Sequence, residues 1–186
     1  MALVAHQGSL IRVGGMRATN EQGEDANLVS VAEVARFDIA SKTWQPLPDL
    51  PEPRSSHDAA VVGNTLYVIS GWRLDGDMDD GDWQTKGLAL DLSQSSATWE
   101  AFDLPFERRA LAVAVAGERL VIVGGMGSGH RRGQHRICQR HGRHRANPGL
   151  GDSAWKPRTK LVFPRYFHRR AHASDTALLA VGGIWA

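Results

Sequence analysis

Residues 47–71, LPDLPEPRSSHDAAVVGNTLYVISG, are the stretch that decides the fold of this chain. Two short β-rich runs, 57–62 and 65–69, flank a Gly-Asn pair at 63–64, which is typical of a tight hairpin turn. A second copy of this pattern, FDLPFERRALAVAVAGERLVIVGG, occupies residues 102–125. The sequence therefore predicts a hairpin unit that repeats along the chain.

Several landmarks keep one common period. Apolar runs end four times in a pair of small residues, and the second glycines of these pairs are 56, 54 and 58 residues apart; the pairs are Gly14-Gly15, Ser70-Gly71, Gly124-Gly125 and Gly182-Gly183. Tryptophans follow the same period, at Trp44, Trp99 and Trp155. Accidental matches in a β-sandwich would not share a phase. Four antiparallel strands per roughly 50 residues instead predict the blades of a β-propeller.

Within each unit the pattern predicts a third and a fourth strand. The third strand is expected at about 29–37 and again at 86–91, and the fourth is expected to carry Trp44 and Trp99. No helix of normal length is needed anywhere in the chain. The expected class is therefore all-β.

The repeat resembles the kelch repeat family. The matching elements are the strand ends IRVGG, LYVISG, VIVGG and LAVGG, the segments RFD and ALD with a tryptophan six and eight residues later, and the links PEPR and PFERR. The resemblance implies a partial kelch-type β-propeller of four-stranded antiparallel blades, about two to three blades, with an irregular C-terminal segment.

The same resemblance suggests structural roles for the repeated residues. Glycine after a strand permits a positive φ and close backbone approach, tryptophan can fill the space between blades, and arginine can pair with backbone carbonyls or a carboxylate of the neighbouring blade. These structural repeat residues are Gly14, Gly15, Trp44, Arg54, Gly71, Trp99, Arg109, Gly124 and Gly125.

The repeats divide the chain into five predicted parts. Residues 1–53 form a kelch-like blade with a truncated first strand, and 54–108 form a complete blade. Residues 109–126 start a third blade, 127–153 form a basic segment expected to be disordered, and 154–186 form a degenerate partial blade. Since so few blades do not close a ring, we expect either a piece of a longer protein or a protomer that completes its ring by assembly, and we favour the piece.

Charge is distributed unevenly. Residues 1–129 carry 10 Lys+Arg and 18 Asp+Glu, a net of −8, whereas residues 130–186 carry 12 Lys+Arg and 2 Asp, a net of +10. The tract 127–150 has six arginines and no acid, and it interrupts the repeat, which suggests a stretch translated in a shifted codon frame. Nucleic-acid binding by this tract, or zinc binding, is the alternative that we do not favour. The residues of zinc-ligand type are His135, Cys138, His141 and His144.

Other bulk features exclude little. The 186 residues suffice for one ordinary domain, and no apolar run approaches the roughly 18 residues of a membrane-spanning helix. The N-terminal residues lack the pattern of a signal peptide, so no membrane association is expected. The single cysteine, Cys138, rules out an internal disulfide and leaves the compartment open.

An acidic loop is the predicted contact surface. Its carboxylates are Asp75, Asp77, Asp79, Asp80 and Asp82. The loop departs from an EF-hand because Gly81 lies one position late and Lys86 stands where the closing glutamate belongs. A solvated loop on the ligand-facing rim of the propeller is the interpretation that we adopt, with no metal and no cofactor expected.

The function predicted from these observations is a non-enzymatic kelch-like scaffold that binds a protein or a glycan through loops of one propeller face. The alternative is a fragment of a kelch-type carbohydrate-active enzyme, similar to galactose oxidase or to a sialate mutarotase or epimerase. The copper ligands of galactose oxidase are tyrosines and histidines, and this chain has only Tyr67 and Tyr166 as tyrosines. No catalytic residue is therefore carried over from the resemblance.

Overall fold

The computed structural model describes residues 1–76 and 81–127 in full, and beyond them the backbone of four strands in the C-terminal part. In chain order the strands are β1 Ala2–His6, β2 Ser9–Ala18, β3 Leu28–Asp38, β4 Thr43–Leu47, β5 Asp58–Val62, β6 Thr65–Ile69, β7 Trp72–Arg73, β8 Asp75–Gly76, β9 Asp82–Trp83, β10 Lys86–Asp91, β11 Glu100–Asp103, β12 Arg108–Ala116, β13 Arg119–Gly127, β14 Arg136–His141, β15 Lys156–Lys160, β16 Arg165–Ala173 and β17 Leu178–Trp185. The described residues contain no helix, so none is long and apolar enough to cross a membrane.

Twelve of the strands form three antiparallel sheets of four strands each, and β8 pairs with β3 at the first of them. The first blade contains β1, β2, β3 and β4; the second contains β5, β6, β10 and β11; the third contains β12, β13, β14 and β15. A separate pair, β16 and β17, follows the third blade and contacts β12. Up-and-down sheets of four strands that stack face to face are the blades of a β-propeller. The predicted all-β class with four-stranded antiparallel blades is confirmed.

The second blade buries both of its faces because its strands are apolar at successive positions. Leu66 and Val68 face the first blade, whereas Tyr67 and Ile69 face the third. Successive side chains of a strand point to opposite faces, so a continuous apolar run is what a doubly covered sheet needs. The first core consists of Ala2, Ile11, Val13, Val34, Leu50, Ala59, Leu66, Val68, Leu88 and Leu90. The second consists of Ala60, Tyr67, Ile69, Ala89, Phe102, Leu111, Val113, Leu120 and Ile122.

The strand positions follow the sequence-based expectation with one difference. β3 spans the third strand expected at 29–37, and Trp44 lies in β4. Trp99, however, lies one residue before β11 rather than within it. Its indole Nε1 donates a hydrogen bond of 2.9 Å to the carbonyl of Pro48, which turns the side chain back toward the first blade.

The five-part division of the chain remains a prediction. Most of the basic segment 127–153 lies outside the described residues. Within it only the backbone of β14 is described, and β14 pairs with residues 119–122 of β13. The hypotheses of a shifted codon frame and of a zinc site fall on this same part of the sequence. Trp155 also lies outside the described residues, as do the side chains of β16 and β17.

Candidate functional site

Arg54 lies at the seam between the first and second blades and is 2% exposed. Its guanidinium donates hydrogen bonds to the carbonyls of Ser70 at 3.3 Å and Lys86 at 2.8 Å, and to Oε1 of Gln84 at 3.0 Å. Burial lowers the pKa of Arg54 to about 10, against the raising effect of Glu52. The side chain therefore stays charged at neutral pH and fastens the strands of its own blade.

Arg108 makes the equivalent bonds at the next seam. Its Nη1 donates to the carbonyl of Gly124 at 3.0 Å, sixteen residues ahead, just as Arg54 reaches the carbonyl of Ser70 sixteen residues ahead. The backbone carbonyls of the two arginines also accept equivalent bonds across the seam, from the amides of Gly15 and Gly71 respectively, both at 2.9 Å. The spacing of 55 residues between Arg54 and Arg109 predicted Arg109 as the repeat arginine. The structural counterpart of Arg54 is instead Arg108.

The repeated glycines lie within or just after the second strand of each blade: Gly14 and Gly15 in β2, Gly71 after β6, and Gly124 and Gly125 in β13. Gly14 and Gly71 have φ values of +45° and +101°, and a Cβ on either would come within 2.6 Å of the backbone oxygen of Arg54 or Ser55. Only glycine combines a positive φ with such close backbone approach. The other repeat glycines, Gly15, Gly124 and Gly125, also have positive φ values.

Residues 72–83, here called the bridging loop, join all three blades. β7 pairs with β9 at the two ends of the loop, and β8 pairs with Leu28–Val29 at the start of β3 in the first blade. The hydroxyl of Ser30 strengthens that link because it accepts from the Leu74 amide at 2.9 Å and donates to Ser55 Oγ at 2.8 Å. The loop thus extends the second blade and pairs with β3 of the first blade.

The bridging loop meets the third blade through a stack of one arginine and two tryptophans. The Cζ of Arg109 lies 3.4 Å from the ring centroid of Trp72 and 5.3 Å from that of Trp83. The two rings are 6.3 Å apart and inclined at 53°. Burial lowers the pKa of Arg109. A guanidinium held over an indole face contributes about 0.5–2 kcal/mol, so the stack fixes the base of the loop.

Neither Trp72 nor Trp83 is among the residues predicted from the sequence. The signal was present, because the segments WR and DW enclose the acidic run symmetrically at residues 72–73 and 82–83. An antiparallel pair of short strands closing a loop produces that arrangement, with Trp72 opposite Trp83 and Arg73 opposite Asp82. Cross-strand pairs of this kind are what stabilise a two-stranded extension.

The structure describes two of the five predicted binding aspartates. Asp75 is exposed in β8, and Asp82 is paired with Arg73 at 2.9 Å, with both side chains largely in solvent. Asp77, Asp79 and Asp80 lie outside the described residues. Within the described part of the chain, no group of three or more His, Cys, Asp or Glu residues is placed to hold a metal ion.

His57 is buried beneath the seam. Its Nε2 lies 3.1 Å from the carbonyl of Val13 in the first blade, so the neutral ring must carry its proton on Nε2 to donate that bond. Burial, followed by the nearby charges of the N-terminal amine and Arg54, lowers the pKa of His57 to about 3. This histidine is therefore a packing residue and is unsuited to proton transfer with solvent at neutral pH.

The two repeat tryptophans occupy different environments. Trp99 is half-buried and packs on the first core. Trp44 is 55% exposed and lies against Phe37, with the ring centroids 5.1 Å apart. Only Trp99 therefore lies between two of the described blades.

Comparison with known proteins finds relatives that contain kelch repeats. No family model matches the chain. Kelch repeat and BTB domain-containing protein 12 of Homo sapiens is 27% identical over 141 residues, which cover 74% of this chain and 22% of that protein. Kelch-like protein 35 of Mus musculus is 31% identical over 124 residues, covering 67% of this chain and 19% of that protein. The chain thus spans about a fifth of the length of these relatives.

The fold agrees with these relatives. The solved structure of YjhT superposes with a TM-score of 0.72 at 15% sequence identity, over 97% of this chain and 58% of that chain. The likeness at that identity concerns the fold alone. Taken with the repeated seams and the three four-stranded sheets, these matches identify the chain as a member of the kelch repeat family, folded as part of a kelch-type β-propeller.

Proposed function

We propose that this chain is a non-enzymatic scaffold that binds a protein partner through the bridging loop. The observation that carries the proposal is the attachment of this one loop to three blades, by β-pairing on the first, by continuity with the second and by the Arg109 stack on the third. Loops held by a rigid scaffold are where β-proteins commonly place their contacts. The base of the loop, at residues 72–76 and 81–83, is already fixed and does not have to become ordered when a partner binds.

The charge of the loop supports a basic partner. Five aspartates fall within residues 75–82, and residues 1–129 carry a net charge of −8. The one cation inside the loop, Arg73, is already paired with Asp82. An acidic loop attracts lysine- and arginine-rich segments and raises their association rate.

A peptide-binding measurement tests this proposal. The full chain is titrated against a fluorescent lysine- and arginine-rich peptide and a glutamate-rich peptide of equal length, and anisotropy is recorded. We expect the basic peptide to bind at the loop, and any binding of the glutamate-rich peptide to residues 130–186, which carry a net charge of +10, to be unchanged by substitutions in the loop. The triple variant Asp77→Asn, Asp79→Asn, Asp80→Asn should weaken binding of the basic peptide by about tenfold, and added salt should weaken it further.

The matched control removes three carboxylates from the corresponding loop of the first blade, as Glu21→Gln, Glu24→Gln and Asp25→Asn. These residues are exposed, and their loop also connects the second and third strands of its blade. An equal loss of affinity in both variants would show that only net charge matters and would contradict a specific loop site. Turnover of a sugar by the chain would instead favour the alternative of a carbohydrate-active enzyme.

A further inference from the structure

Arg109 is a cation at the base of the bridging loop, and its guanidinium has no oxygen acceptor among the described residues. Its Nη2 contacts the Sδ of Met126 at 3.9 Å, which is a weak acceptor, and its Nε–H has no acceptor in the described part of the chain. By contrast, Arg54 donates to three oxygens, and Arg73 pairs with Asp82. Burial lowers the pKa of Arg109, and no described carboxylate acts to raise it. Within the described residues, its charge is therefore not balanced by an acid.

The stack on Trp72 leaves the donors of this guanidinium available. A distance of 3.4 Å from Cζ to the ring centroid is that of two planar groups in contact through their faces. The N–H donors lie in the guanidinium plane, so a ring against its face uses none of them. Arg109 and Met126 are both half-buried, and the unbranched methionine side chain can move away from Nη2. The edge formed by Nε and Nη2 then suits a planar, bidentate acceptor, which is a carboxylate.

Trp72 supplies a second buried donor at the same place. Its side chain is 4% exposed, and its indole Nε1–H has no acceptor among the described residues. A buried donor without an acceptor costs free energy, so native structures nearly always provide one. Two such donors on stacked side chains, Trp72 and Arg109, indicate a position for an oxygen acceptor that the described residues do not supply.

We propose that Arg109 binds a carboxylate of the partner segment whose basic residues contact the bridging loop. This inference rests on the proposed function and specifies the partner further. The acidic run ends beside the stack, because Gly81 lies so close to the Trp72 ring that a Cβ would clash with it. One site therefore presents charges of both signs. The partner that it fits is a lysine- and arginine-rich segment that also carries one aspartate or glutamate.

Paired peptides test this preference on the full chain. Basic peptides that carry one glutamate at successive positions are compared, by anisotropy, with the same peptides carrying glutamine. We expect one glutamate peptide to bind about tenfold more tightly than its glutamine counterpart. Arg109→Gln should abolish that difference, and Arg109→Lys, which keeps the charge without the planar fork, should retain only part of it. A merely structural role of Arg109 would change the affinity for both peptides equally. Arg17→Gln, an exposed arginine of the first blade, is the control that should keep the full preference.

A second measurement does not depend on any peptide. The Nε–H resonance of Arg109 in the ¹⁵N-labelled chain, identified by its loss in Arg109→Gln, is followed while N-acetylglutamate amide is added. We expect a saturable shift that exceeds the shift of Arg17. Such a shift without binding of any basic peptide would contradict the proposed function and support the carboxylate site. The absence of a shift, or equal affinities for every glutamate peptide and its glutamine counterpart, overturns the carboxylate site even if basic peptides bind.

Discussion

Arg54 and His57 lie three residues apart at the same seam, and burial lowers the pKa of both. Arg54 remains a cation at neutral pH because the ordinary pKa of arginine is so high that burial lowers it only to about 10. His57 is neutral because burial, and then the charges of the N-terminal amine and Arg54, lower its pKa to about 3. The same penalty on buried charge therefore leaves different charge states, because the two residue types start from very different pKa values.

We expect His57 to make stability depend on pH. Its folded pKa of about 3 lies below the ordinary value of 6.5, so below pH 6.5 the unfolded chain binds a proton that the folded chain refuses. The free energy of unfolding should therefore fall as the pH drops from 6.5 toward 3, by up to about 1.4 kcal/mol per pH unit. Urea denaturation of wild type and His57→Gln at pH 7 and pH 5 measures this.

The comparison between the two proteins isolates the histidine from its neighbours. Burial raises the pKa of Asp58, which acts in the opposite direction on the pH dependence, but Asp58 is present in both proteins. The variant should be less stable at pH 7 and should lose less stability on acidification. Identical pH slopes in the two proteins would show that His57 is not buried in the neutral form.

At the scale of elements, each described seam depends on a glycine within or just after the second strand of a blade, Gly15 or Gly71, whose amide meets the backbone of the next blade. The Gly71 amide donates to the Arg108 carbonyl at 2.9 Å, while its Cα approaches Ser55 so closely that no side chain fits. The bridging loop begins immediately after Gly71. The same position therefore bonds to the third blade and fixes the start of the candidate binding surface.

A pair of alanine substitutions separates the cost of a positive φ from the cost of close contact with the backbone. Gly71→Ala should cost about 3 kcal/mol or more, because strain at φ +101° adds to the contact of its Cβ with the Ser55 carbonyl. Gly63→Ala, at φ +60° with nothing within 4 Å, should cost only about 1 kcal/mol. Urea unfolding of both variants gives the difference; equal costs would mean that the close approach at Gly71 is easily relieved.

At the scale of the whole molecule, stability is distributed between two separate cores, one at each described blade interface. The second blade contributes to both, Leu66 toward the first blade and Tyr67 toward the third. Stacked repeats of this kind are stabilised by contacts with nearest neighbours.

Two core truncations test the independence of the interfaces. Leu66→Ala opens the first core and Leu120→Ala opens the second; both leucines are fully buried, so each change should cost about 3 kcal/mol. Because the two side chains belong to different clusters, the double variant should lose the sum to within about 0.5 kcal/mol. A large deviation from additivity in urea unfolding would indicate that the two interfaces behave as one core.

Taken by itself, the sequence determined the repeat, the four-stranded unit and the positions of most strands and turn glycines. These are local properties, because strand alternation and turn chemistry are encoded within a few residues. The tertiary structure decided which of two adjacent arginines is buried at the second seam, and that Trp99 rather than Trp44 lies between described blades. It alone showed that the acidic loop rests on three blades, since those contacts join residues far apart in the chain and no local pattern encodes them.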